Sequence, residues 1–112
     1  MGYSVNISET AQREVDAIVE YIVTTLKNLS AASRFYKSFM AIKPALEASP
    51  NFYPNAFAAS QLLGVAVRKI SVGNYRVHFV VNEADRQVIV FSVVHVRQSS
   101  LQLIQADFQA EK

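Results

Sequence analysis

The chain has 112 residues, 51% of them hydrophobic and 18% charged, with no cysteine, two histidines and a formal net charge of +2. That length builds one core and not two, and the composition excludes intrinsic disorder. Without cysteine there can be no disulfide, thiolate metal site or cysteine nucleophile, and two histidines without clustered carboxylates give no basis for a metal centre. No apolar run reaches the ~20 residues of a membrane helix, and no basic-then-apolar leader opens the chain. Residues 1–112 therefore read as a single cytoplasmic domain, with no cofactor, no metal and no membrane partner.

In chain order, Tyr3, Val5 and Ile7 alternate as in a short strand. Ser8 suits a helix N-cap, and Val15, Ile18, Val19, Ile22, Val23 and Leu26 then recur at helical spacing, with Glu14, Asp16 and Glu20 read as a solvated face. After a connection at Lys27–Leu29, Ser30 reads as a second N-cap. Ala32, Phe35, Phe39, Ile42 and Leu46 follow in steps of three and four, so the two helices form an antiparallel hairpin. Pro44 predicts a kink or an early end to the second helix. The uncharged, proline-containing stretch Ser49–Gly64 reads as a long loop, with Phe52, Tyr53 and Phe57 packed beneath it or open as a contact surface.

Three strands follow. Gly73-Asn74 is a two-residue hairpin signal with glycine first, as a type II′ turn requires, and Asn82–Arg86 is a longer polar turn. Pairing Val72 with Tyr75 sets Lys69 opposite His78 and Ser71 opposite Arg76. Pairing Asn82 with Gln87 sets His78 opposite Phe91 and Arg76 opposite Val93. By this parity Lys69, Arg76, His78, His95 and Arg97 project from one face, as long as no β-bulge shifts a strand. The other face carries Ala66, Ile70, Tyr75, Val77, Phe79, Val81, Val88, Val90 and Val94, and receives the helix hairpin. Arg68 points to the apolar side and snorkels at a strand edge. The charge distribution agrees: residues 1–48 hold five basic and five acidic side chains, whereas residues 65–97 hold five basic and two acidic. After Arg97, Leu101, Ile104 and Phe108 have the spacing of a short amphipathic helix or docking segment.

The opening YSVNISETAQREVDAIVEYI, the AASRFYKSF of the second helix, the proline in NFYPN, the hairpin RKISVGNYRVHFVV and the closing VFSVVHVRQ together resemble the RelE/ParE superfamily of toxins from bacterial type II toxin–antitoxin, or plasmid stabilization, modules. The resemblance spans nearly the whole chain. It implies an α+β, RelE/ParE-like fold: an N-terminal strand and α-helical hairpin packed on one face of a curved antiparallel β-sheet, with a short C-terminal tail or helix. It also implies a cognate antitoxin bound in a hetero-oligomer.

Members of the superfamily divide by target: some enter the ribosome and cut mRNA, and others poison DNA gyrase without nuclease chemistry. The first branch implies a metal-independent endoribonuclease, with Lys69, Arg76 and Arg97 where such toxins carry the basic residues that hold phosphate. That branch usually places a Tyr or His near the C-terminus for proton transfer. Neither follows Arg97 here, so His95 or His78 has to substitute. The chemistry is coherent, because 2′-OH attack needs a base of near-neutral pKa and the phosphorane is stabilised by cations. The reading from sequence is thus an mRNA interferase with catalytic residues Arg76, Arg97, His95 and Lys69, and with RNA held by Lys69, Arg76, His78 and Arg97. The alternatives are a ParE-like gyrase inhibitor or an inactive toxin-fold binding module.

Overall fold

The computed structural model describes residues 2–98 and 100–111. Strand β1 (Ser4–Ile7) leads into helices α1 (Glu9–Thr24) and α2 (Leu29–Ala48). A 3₁₀ turn (Pro50–Phe52) and helix α3 (Phe57–Leu63) precede strands β2 (Val67–Val72), β3 (Tyr75–Asn82) and β4 (Gln87–His95), and helix α4 (Leu101–Gln109) closes the chain. The sheet has the order β1-β4-β3-β2. The three later strands are antiparallel, and β1 joins β4 in parallel with Val5 opposite Val88, which makes the sheet mixed. No helix among the described residues is long and apolar enough to cross a membrane.

The hairpin starts where local chemistry dictates. The Ser8 hydroxyl accepts the Ala11 N–H at 3.0 Å and caps α1. The second cap is Asn28 and not Ser30: its Oδ1 accepts the Ala31 N–H at 2.9 Å, so α2 begins at Leu29. Lys27 takes a left-handed φ of 52°, and the Asn28 N–H then reaches back to the Ile22 carbonyl at 3.1 Å, closing α1 in a Schellman-like turn. Pro44 does not end α2, which continues to Ala48. Its ring removes the hydrogen bond to the Met40 carbonyl on an exposed side of the helix, where water can take the vacant acceptor.

Two apolar clusters sandwich the sheet. On one face Val15, Phe35, Phe39 and Leu46 of the hairpin meet Val77, Phe79, Val88, Val90 and Val93. On the other, α3 and α4 bury Ala59, Val67, Phe91 and Ile104, with Phe108 packed against them. The segment read as a long loop therefore contains a helix, which ends at Gly64 in the left-handed region (φ 72°). Its aromatic residues part company. Tyr53 packs edge-on against Phe79 at 6.2 Å, while Phe52 and Phe57 stand 81% and 72% exposed.

The β2–β3 register is the expected one, with Lys69 opposite His78 and Val72 opposite Tyr75, and Gly73 takes the positive φ (59°) that the turn needs. The β3–β4 register departs from expectation. It starts with Asn82 opposite Gln87, but Phe79 pairs with Val90 and His78 with Ser92, so Phe91 is an extra residue in a β-bulge. Beyond it every β4 side chain changes face: Val93 enters the hairpin core, Val94 lies opposite Arg76, and His95 lies opposite Tyr75.

Candidate functional site

The bulge divides the predicted basic face. Lys69, Arg76 and His78 keep their common side of β2 and β3, because the first hairpin is regular. That side is also covered in part by α3 and α4, and His78 is only 3% exposed there. Its ring lies 6.4 Å from that of Phe91, and among the described residues its Nδ1 has no hydrogen-bond partner. Burial, then the nearby charges of Arg76 and Lys69, push its pKa down to about 4, against a smaller opposing pull from Asp107. At neutral pH His78 is a neutral ring inside the protein, while Lys69 and Arg76 are half-buried beside it.

His95 and Arg97 sit elsewhere. His95 shares the face of Tyr75, and the two rings meet edge-on at 5.1 Å. Its Nδ1 accepts the Arg97 N–H at 3.0 Å, which fixes the imidazole within the turn that follows β4. Both residues line a groove of about 770 Å³ bounded by α1, the β2–β3 turn and the start of α4, with Ile18 and Tyr21 along its helical wall and Leu26 in the turn beyond it. Tyr75, at its floor, has its hydroxyl pKa raised by burial and by the neighbouring Tyr21. The predicted set of Arg76, Arg97, His95 and Lys69 is therefore not one constellation: Lys69 and Arg76 stand with His78 on one surface, and His95 and Arg97 stand in a groove on another.

Arg68 reaches across to the Tyr53 carbonyl and pins the segment before α3, as a strand-edge residue can. Sequence reading missed a polar cluster at the β4 edge. Glu14, assigned to a solvated face, accepts the Val93 N–H at 2.8 Å, and the Ser92 hydroxyl donates to Asp107 of α4 at 2.8 Å. Ser92 and Asp107 are both buried. The one signal for Asp107 was an acidic residue beside Phe108 in an otherwise apolar helical stripe.

The chain thus packs a helix hairpin on one face of a mixed four-stranded sheet that includes β1, with basic side chains on two other surfaces. The family model of the ParE toxin of type II toxin–antitoxin systems (parDE) matches residues 5–100, and the chain belongs to that family. It is the toxin of such a system. Among solved structures, the toxin–antitoxin complex RelBE2 from Mycobacterium tuberculosis matches with 18% identity and a TM-score of 0.48, over 85% of this chain and 99% of that one. No curated protein is similar enough to match.

Proposed function

We propose that this toxin acts by binding its target and not by cutting RNA, and that the target is DNA gyrase, as the ParE branch of the superfamily implies. The observation that carries this reading is the placement of the two imidazoles. His78 is 3% exposed and neutral under α4, and His95 is tied to the backbone of Arg97 on a different surface from Lys69 and Arg76. Cleavage by the 2′-OH needs a base and cations around one phosphate. In this reading Lys69, Arg76 and Arg97 are contact residues, and the aromatic-walled groove beside Arg97 adds apolar area to the interface.

RNA cleavage remains a second reading, favoured by one feature: Lys69 and Arg76 both act on the same imidazole, so two cations converge on one point of the sheet. Under either reading a cognate antitoxin neutralises the protein in a cytoplasmic hetero-oligomer. An acidic segment ordering on the basic surfaces would provide the complementarity.

Induction in a bacterial host without antitoxin separates the two. The binding reading expects growth arrest with intact mRNA and a DNA-damage response, weakened by both Arg76→Ala and Arg97→Ala. Arrest with new mRNA 5′ ends that vanish in those variants would establish the endonuclease instead, and no arrest at all would leave an inactive binding module.

A further inference from the structure

Helix α4 is held to the molecule in two different ways. One is apolar: Ile104 is buried, and Phe108 meets Phe91 edge-on at 5.2 Å. The other is polar and reaches across the sheet edge. Strand β1 ends at Ile7 and pairs with Gln87–Val90, so among the described residues no strand partners the upper half of that β4 edge. Glu14 of α1 fills the gap by accepting the Val93 N–H at 2.8 Å. From the opposite side, Asp107 of α4 accepts the Ser92 hydroxyl at 2.8 Å, so the two carboxyl groups are anchored on successive residues of one strand. Two carboxyl groups held side by side and partly out of water repel when both are charged, and a single proton between them removes that repulsion.

We propose that Glu14 and Asp107 share one proton, that this pair is the latch that closes α4 over the sheet, and that losing the proton frees the helix. Asp107 is 6% exposed and Glu14 half-buried, so two charged carboxylates there would repel each other with reduced screening. The groups around the pair are few. Arg13 lies next to Glu14 on α1 and favours its charged form weakly; the Ser92 hydroxyl and Val93 N–H come from β4; His78 of β3, between Lys69 and Arg76, faces Asp107; His95 and Arg97 line the groove that Glu14 also borders. Burial first, and the neighbouring Asp107 carboxyl second, raise Glu14 to about 8, so the proton stays on it in neutral solution.

The sign follows from proton linkage. The closed helix holds a proton that the open one, with Glu14 back near its ordinary value, releases. Opening therefore becomes easier as pH rises towards about 8, by roughly tenfold per pH unit, and levels off above it. With α4 open, Phe91, Ile104 and Phe108 meet water, and His78 loses its cover beside Lys69 and Arg76.

Amide hydrogen exchange on the full chain tests this. After correction for intrinsic rates, protection of residues 104–109 should fall about tenfold per unit between pH 6 and 7.5, while the β3 and β4 amides keep theirs. In Glu14→Gln the side-chain amide can still accept from Val93 and donate to Asp107, so protection of α4 should stay flat with pH. Asp107→Asn should flatten it too. Constant α4 protection in the wild type would overturn the latch, as would an equal fall in Glu14→Gln or a fall shared by the whole sheet; the wild-type profile decides even if a variant does not fold.

Discussion

The two faces of the sheet are built to different standards. The hairpin face is a continuous apolar layer in which Val15, Phe39, Leu46, Val77, Phe79, Val88 and Val90 are fully buried. The face under α3 and α4 is smaller and mixes Phe91, Val67 and Ile104 with buried His78, Ser92 and Asp107. Buried polar groups contribute stability only while their partners and protons are in place, whereas apolar packing does not depend on pH. The hairpin face should thus set global stability, and the α4 face should respond to conditions.

The largest expected effect is Phe39→Ala, which removes a fully buried ring from the main core and should lower unfolding free energy by about 3–5 kcal/mol in denaturant titration. A loss under ~1 kcal/mol would break the comparison. Next comes the acid limb. The folded-state pKa of His78 is depressed to about 4, so its contribution is present above its ordinary value of 6.5 and is lost as pH falls from 6.5 through 4. At about 1.4 kcal/mol per unit, this amounts to on the order of 3 kcal/mol. Because Glu14, raised to about 8, gains stability as pH falls towards its ordinary value, the His78 effect is read as a difference: from pH 6.5 to 4 the denaturant midpoint of His78→Leu, which also removes an Nδ1 without a partner among the described residues, should climb relative to that of the wild type. An identical slope in the variant would assign the acid limb to other groups.

Smaller effects separate the faces further. Ile104→Ala should destabilise by about 2 kcal/mol, the low end for such a truncation, and should loosen α4 before the hairpin in hydrogen exchange. Ser100→Ala deletes the hydroxyl that accepts the Leu103 N–H at 3.1 Å and should cost about 1 kcal/mol, confined to α4. The matching change Ser8→Ala, at the buried cap of α1, should instead appear in the global unfolding midpoint.

The same contrast explains what the sequence disclosed. The hairpin face was legible because α1 and α2 each bury one stripe, and because Gly73-Asn74 specifies a turn with a fixed register. The α4 face was not. In β4 the run VIVFSVVH is apolar on both sides, since both are covered, so alternation could not reveal that Phe91 is an extra residue. One unmarked bulge moved His95 to the side of Tyr75 and separated it from Arg76. Helix α3 was hidden by the prolines and asparagines before it, although FAASQLL itself favours a helix. Glu14 looked solvated because helical periodicity cannot show that β1 stops short and leaves the Val93 N–H to be capped.

The most direct test of the functional account is a supercoiling assay with purified gyrase, ATP and relaxed plasmid, titrated with the purified toxin free of antitoxin. The account predicts loss of supercoiling with accumulation of cleaved plasmid, reduced in Arg76→Ala and Arg97→Ala, and no cutting of mRNA on translating ribosomes. Unimpaired gyrase together with cleavage of ribosome-bound mRNA would contradict it.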